Sequence, residues 1–119
     1  MNYFHPSEFE CKCGCGLGLK DMKSDMLMMV HVMRRMADIP FIINSAIRCK
    51  NYNASNGWSK TSSHLGGYAI DIRCKTSRNR LILVNSALKV GFKRIGIGKD
   101  FIHVDTDYTK DQDVIWNYY

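Results

Sequence analysis

The sequence predicts a small α+β domain in which helices lie against a sheet of antiparallel strands. Two segments repeat apolar residues with the spacing of an α-helix, and four shorter segments have the composition or alternation of β-strands. Helices and strands do not alternate regularly, which disfavours a parallel sheet built from βαβ units. At 119 residues, 45% of them hydrophobic, the chain suits one domain, 1–119, with a single core.

The first helix is predicted between Lys20 and Ala37. Methionines recur there at spacings of four, three, four and three residues, which lays them along one helical face: Met22, Met26, Met29, Met33 and Met36. Such a stripe in a small domain is typical of the core, and Pro40 ends the helix. The preceding residues, 1–19, contain Pro6 and several glycines, and we expect them to form a loop.

Strand patterns follow the helix. Residues 41–45 are predicted as a short buried strand, and the polar residues 51–61, together with Arg48, as a loop at the rim of a binding site. Residues 68–72 alternate so that Tyr68 and the isoleucines share one face, while Asp71 lies on the face opposite the core.

The remainder predicts a second helix and a hairpin. Thr76 or Ser77 can cap the helix, and Gly91 ends it. Residues 94–97 and 101–105 flank a short glycine-containing turn and are expected to pair as antiparallel strands. Alternation in the second of these strands places His103 and Asp105 on one face.

Charge and hydropathy limit the classes of function. Seventeen Lys and Arg against eleven Asp and Glu give a net charge of +6, which favours polyanionic partners such as nucleic acid or anionic polymers of the bacterial envelope. No stretch approaches the roughly 20 apolar residues that cross a bilayer. Residues 1–6 lack the basic and apolar segments of an export signal, so we expect no signal peptide and no membrane span.

Cysteines are odd in number, which favours reduced thiols over a disulfide framework in a chain without an export signal. Cys11, Cys13 and Cys15 alternate in the N-terminal loop, where small half-buried thiols can pack. The alternative is a second structural metal, bound by this cluster with Cys49 or Cys74. Against it, the two-residue spacing usual in zinc knuckles is absent.

Two histidines and one aspartate predict a catalytic zinc site. His64 and Asp71 are separated by Gly66-Gly67, which lets the backbone turn tightly enough for the two side chains to meet. The predicted hairpin brings in His103 as a third ligand. Two imidazoles and one carboxylate suit a single catalytic Zn²⁺, which takes three protein ligands and keeps a fourth position open.

Two further aspartates can assist such a site. Asp100, three residues before His103 in the hairpin turn, is interpreted as the general base. Asp105 is interpreted as an outer partner that hydrogen-bonds an imidazole and fixes its tautomer, and the sequence leaves the two roles partly exchangeable. His5 and His31 lack partners at ligand spacing and are excluded from the site.

These residues carry a family resemblance. The pattern Ser62-x-His64-x-x-Gly67-x-Ala69-x-Asp71, followed by Asp100-x-x-His103, resembles the zinc D-Ala-D-Ala carboxypeptidases. That family also includes bacteriophage L-alanoyl-D-glutamate endopeptidases and is akin to hedgehog domains. The resemblance extends loosely from Phe9 to about Asp107. It implies a hedgehog-like fold, zinc held by His64, Asp71 and His103, and hydrolysis of peptide bonds in peptidoglycan stems.

The resemblance also implies roles around the metal. Asp100 matches the family's general base, where many members have glutamate; Ser62 matches a serine near the substrate, and Arg48 an arginine that binds it. A planar, permanently charged guanidinium is well suited to a substrate carboxylate, although Arg48 could instead polarise a scissile carbonyl. Trp58 can line the same cleft. Exo- and endo-cleavage remain equally compatible with these residues.

We therefore expect a monomeric hydrolase that acts on peptidoglycan stem peptides and binds neither nucleic acid nor membrane. A bacteriophage lysis enzyme, made in the host cytoplasm and released to the wall, is one setting that the resemblance suggests. A non-catalytic zinc-containing binding module is the main alternative. A basic nucleic-acid-binding protein is a further one, which the aromatic residues and positive charge favour but which leaves the histidine and aspartate spacing unexplained.

Overall fold

One five-stranded sheet organises the computed structural model, which describes residues 4–119. Its strands, in the spatial order β1-β2-β4-β3-β5, are β1 (Ile43–Ser45), β2 (Ala69–Arg73), β3 (Arg94–Ile97), β4 (Phe101–Asp105) and β5 (Val114–Asn117). Every neighbouring pair is antiparallel except β3 and β5, which are parallel. The predicted α+β class is confirmed. Residues 1–3 of the expected N-terminal loop lie outside the described residues.

Three α-helices accompany the sheet: α1 (Ser24–Ala37), α2 (Lys50–Ser55) and α3 (Ser77–Val90). The predicted first helix begins later than expected, because residues 19–21 form a separate 3-10 turn. It ends at Asp38, which has a left-handed φ of 54°, two residues before Pro40. The Thr76 side chain caps α3 through the Asn79 N–H, and Gly91 ends it with a φ of 106°, as predicted.

The core fills one face of the sheet. Isoleucines and a valine of β2, β3 and β4 are buried there together with side chains of α1 and α3: Ile70, Ile72, Ile95, Ile102, Val104, Met26, Val30, Met33, Leu83 and Ala87. The methionine stripe is thus core along most of its length, although Met36 is 44% exposed at the end of the helix. The opposite face of the sheet carries polar side chains, and it positions the site.

One α-helix and one strand were not predicted. Helix α2 lies inside the expected polar loop, and it begins where the Cys49 sulfur accepts a hydrogen bond from the Tyr52 N–H at 3.3 Å. Strand β5 pairs with β3 in a parallel direction and extends the sheet at that edge. The sequence had predicted only antiparallel strands. Within the described part of the chain, helices are too short or too polar for any to cross a bilayer.

Candidate metal centre and catalytic cavity

The pairing of β2 with β4 sets the centre of the site. Asp71 and His103 are direct partners in this antiparallel register, and the His103 Nδ1 lies 2.9 Å from Asp71 Oδ1. His64 comes from the 3-10 turn that precedes β2, and its Nε2 lies 3.3 Å from the same oxygen. The three predicted ligands therefore converge on one point of the polar face.

Gly67 is the residue that allows the turn before β2. It has a φ of 77°, in the left-handed region that favours glycine. A Cβ at this position would also collide with the backbone carbonyl oxygen of Asp21. Because the chain can reverse here, the His64 imidazole folds back over the start of β2 towards Asp71, as the glycine pair predicted.

The donor set fits a zinc ion. His64, Asp71 and His103 each offer one ligand atom, and these atoms all lie within 4.8 Å of one another. Zinc bonds of about 2.0–2.1 Å in a tetrahedron separate neighbouring ligand atoms by roughly 3.3 Å. The distances of 3.3 and 2.9 Å from Asp71 Oδ1 to the two imidazole nitrogens are close to that value.

Hydrogen bonds behind the imidazoles fix their orientation. His64 Nδ1 donates to the carbonyl oxygen of Ala46 at 2.7 Å, and His103 Nε2 pairs with Asp105 Oδ2 at 2.7 Å. Asp105 is itself held, since its Oδ1 accepts from Arg94 Nε at 2.8 Å. Outer partners of this kind leave the opposite ring nitrogen, His64 Nε2 or His103 Nδ1, to face a metal. The structure places Asp105 in its expected supporting position.

Burial and hydrogen bonding set the charges of the three ligands. Burial lowers the pKa of His64, which keeps the imidazole neutral. Burial would raise the pKa of Asp71, but hydrogen bonds from His103 and His64 hold it well below its usual range. Burial would likewise lower the pKa of His103, but its bonds to Asp105 and Asp71 raise it.

Arg48 is fixed beside the ligands. Its Nε donates to Ser45 Oγ at 2.9 Å, and its two terminal nitrogens lie 3.4 Å from Ser62 Oγ and from Asp71 Oδ2. The guanidinium carbon lies 4.0 Å from the centre of the Trp58 ring. The structure thus brings Arg48, Ser62 and Trp58 to the site, as expected.

A cavity of about 390 Å³ opens over this group. Ser59 lines it from the predicted rim loop, and residues that the sequence did not predict as part of the site also line it: Ser63, Arg94, Phe101, Lys110, Trp116 and Tyr118. The two aromatic residues at the end of the chain reach His103, whose ring centre lies 5.6 Å from that of Trp116. Gly96, the β3 partner of His103, makes this possible, because a Cβ there would collide with both aromatic rings.

Asp100 is the predicted site residue that the structure does not bring to the cavity. It is not part of the lining, and its carboxylate lies 3.5 Å from Lys75 Nζ on the surface. Side chains alternate along β4, so His103 and Asp105 share a face that residue 100 does not. Its role as the general base stays a prediction.

Comparison with known families supports the chemistry of the site. The model of the Peptidase M15 family matches residues 2–105. The chain belongs to this family. Its members are peptidases and generally zinc enzymes, which agrees with the ligand set on β2 and β4. No curated protein matches the sequence. Strand β5, which carries Trp116, and the following Tyr118 lie beyond the matched residues.

Proposed function

We propose that this M15 peptidase is a zinc enzyme that hydrolyses peptide bonds in the stem peptides of peptidoglycan. The observation that carries the proposal is the convergence of His64 Nε2, Asp71 Oδ1 and His103 Nδ1 beneath an open cavity. Three protein ligands with one free direction are the arrangement of catalytic zinc sites, whereas structural sites are closed by four.

His64, Asp71 and His103 would hold the ion. When bound, zinc supplies a Lewis acid that polarises a carbonyl and makes water nucleophilic near neutral pH. The protein contributes fixed ligands, since Ala46 and Asp105 hold the two imidazoles before any metal arrives. The ring of Trp116 lies beside His103, with 5.6 Å between the ring centres, and presents a flat apolar face on that side of the site.

Arg48 supplies an anchor for the substrate. Its three hydrogen bonds to Ser45, Ser62 and Asp71 use three of the five N–H donors of a guanidinium, which leaves two for a ligand in the cavity. These can bind the terminal carboxylate of a D-Ala-D-Ala stem or a side carboxylate of an internal stem residue. They can also polarise the scissile carbonyl, and each choice is compatible with peptidase chemistry.

Asp100 is proposed as the general base that takes a proton from the attacking water and delivers it to the leaving amine. The Lys75–Asp100 ion pair that holds it at the surface has both side chains more than half exposed, at 55% and 59%. Exposed pairs contribute little to stability, so the carboxylate can leave Lys75 at small cost.

The surroundings of the cavity support a polyanionic, peptide-containing partner. Lys110, Arg94 and Arg48 line it together with Trp58, Trp116 and Tyr118, which offers cations for carboxylates and flat faces for sugar or peptide groups. The net charge of +6 would attract the protein to anionic wall polymers. Action as a monomer on the bacterial wall, for example in bacteriophage lysis, is part of this proposal.

Mass spectrometry of muropeptides after digestion of purified peptidoglycan tests the proposal. We expect the wild type to release defined fragments, and His64→Ala to release none and to lose its zinc at that site. His31→Ala, on α1 and outside the ligand set, is the matched control and should keep activity. Loss of one terminal alanine identifies a carboxypeptidase, whereas separated glycan and stem identify an alanyl-glutamate endopeptidase. Equal fragment release by the wild type and His64→Ala would refute the proposal.

One observation favours a second candidate, a zinc-containing module that binds peptidoglycan without cutting it. The predicted base, Asp100, lies on the surface instead of in the cavity. Such a module would sediment with peptidoglycan, would lose binding in Arg48→Ala, and would release no muropeptide from any substrate. Fragment release that depends on Asp100 excludes it.

A further inference from the structure

Four of the five cysteines meet in space, and none of them lines the cavity. Cys11, Cys13 and Cys15 come from the N-terminal loop, and Cys49 is the N-cap of α2. Their sulfur atoms all lie within 4.8 Å of one another. Cys74, which the sequence left as an alternative partner, is buried in the core and is not a member of this group.

The sulfur positions match the edges of a tetrahedron around zinc. Cys11 Sγ lies 3.5 Å from Cys13 Sγ, which lies 3.6 Å from Cys49 Sγ. Zinc–sulfur bonds of about 2.3 Å in a tetrahedron separate neighbouring sulfurs by roughly 3.8 Å. Both distances are far longer than the roughly 2.05 Å of a disulfide. All five cysteines are free thiols.

Backbone N–H groups point at two of these sulfurs. The N–H of Cys49 donates to Cys11 Sγ at 3.4 Å, and the N–H of Tyr52 donates to Cys49 Sγ at 3.3 Å. Donors of this kind stabilise negative charge on sulfur, and they orient ligands in metal sites. The group therefore has ligand atoms, spacing and outer hydrogen bonds that suit a metal thiolate site.

Core packing does not explain why the cysteines of the N-terminal loop lie together. Cys11 is buried, but Cys13 and Cys15 are exposed, so filling the core does not explain those two cysteines. Gly14 and Gly16 have φ values of 79° and 99°, and these left-handed residues alternate with the cysteines. An extended strand would place residues 11, 13 and 15 on one side but roughly 6.6 Å apart. The turns at the glycines let the three side chains face one point instead.

We propose that Cys11, Cys13, Cys15 and Cys49 bind a second, structural zinc ion as four thiolates. Four protein ligands close the coordination shell, so this site holds the fold together and does no chemistry. It joins the N-terminal loop to the start of α2, directly after Arg48 in the chain. The spacing differs from that of a zinc knuckle, because Cys49 comes from a distant position in the chain and the other three ligands come from one loop with glycine turns.

Zinc counting tests the proposal without reference to peptidase activity. Protein expressed with zinc and purified anaerobically should contain about two ions per chain, one at each site. Cys15→Ser and, separately, Cys13→Ser should each reduce the content to about one, and both replace exposed side chains that the core does not need. Cys74→Ser, which removes the thiol outside the cluster, is the matched control and should keep both ions.

A second measurement identifies the ligands. Cobalt in the cysteine site should give intense thiolate-to-metal charge-transfer absorption, which His64→Ala retains and Cys15→Ser loses. This outcome is independent of the proposed peptidase, because His64→Ala removes only the cavity ligand. The proposal is wrong if His64→Ala contains no zinc, if both cysteine variants keep the wild-type content, or if intact mass shows a disulfide within the cluster.

Discussion

The two ends of β4 carry carboxylates with opposite environments. At the C-terminal end, the Asp105 side chain is 1% exposed, and its oxygens bind His103 and Arg94. Just before the N-terminal end, the Asp100 side chain is 59% exposed and contacts Lys75 at 3.5 Å. The sequence left their two roles partly exchangeable, whereas burial separates them.

The difference follows from the cost of burying a charge. A buried carboxylate is tolerated only when its oxygens are paired or hydrogen-bonded, and both oxygens of Asp105 are held in this way by His103 and Arg94. An exposed ion pair contributes roughly 0–1 kcal/mol, so Asp100 can change its contacts. The structure thus holds Asp105 against His103 and leaves Asp100 in an exposed ion pair, so the proposed roles of outer partner and general base can be tested separately.

Of the substitutions that test the two ends of β4, Asp100→Asn should cause the largest loss of activity. If Asp100 is the base, kcat should fall by about 10²–10⁴-fold, the usual contribution of a general base, while zinc content and thermal stability stay at wild-type values. Steady-state kinetics on a stem peptide, with zinc measured on the same sample, would show it.

Lys75→Ala is the matched control, because it removes the partner that holds Asp100 at the surface. We expect it to keep or raise activity. If Asp100→Asn kept full activity, the base would have to be another group, and the exposed carboxylate before β4 would have no part in catalysis.

Asp105→Asn should have a smaller effect of a different kind. Without the negative charge of Asp105, the His103 imidazole is held less firmly and is less basic. Outer partners of this kind typically contribute 10–100-fold in metal affinity or activity. Competition with a chromophoric chelator would measure the affinity. Asp111→Asn, on the exposed loop after β4, is the control, and an equal loss of affinity there would mean that general charge rather than the His103 contact is responsible.

The sequence predicted those parts of the site that depend on local rules. Alternation along residues 68–72 and 101–105 placed Asp71 and His103 on the polar face, and Gly67 marked the turn that returns His64 to it. These predictions needed only the period of a strand and the freedom of glycine. The same alternation places residue 100 on the opposite face from His103, because the two are an odd number of residues apart. The sequence spacing alone therefore already argued against Asp100 lying beside His103.

Contacts between residues far apart in the sequence could not be predicted from such local rules. Trp116 enters the cavity because β5 adds to the edge of β3 in parallel, and nothing local in its sequence specifies that partner. Helix α2 was missed because its cap is the Cys49 sulfur rather than one of the usual oxygen-bearing caps. The cysteine cluster likewise depends on a contact between residues 13 and 49.

Asp107 extends the fixed end of β4 into the following loop. Its Oδ2 accepts from Ser63 Oγ at 2.7 Å, and its Oδ1 accepts from the Thr109 hydroxyl at 2.6 Å. Burial would raise the pKa of Asp107, but these hydrogen bonds lower it. The loop after β4 is thereby tied to the residue before His64, so Asp107 contributes to the support of the ligand set from outside the sheet.

Asp107→Asn should give the smallest effect, a loss of about 1–2 kcal/mol in the free energy of unfolding at pH 7, since hydrogen bonds to a charged group are lost. Because the folded pKa is lowered, the stabilisation is fully present above the unfolded value of about 3.9 and disappears as pH falls through the folded value. Denaturant unfolding at several pH values should show the two proteins converging in acid. Asp113→Asn, whose carboxylate is 75% exposed, should match the wild type throughout. A pH-independent difference would mean that Asp107 acts through packing and not through its charge.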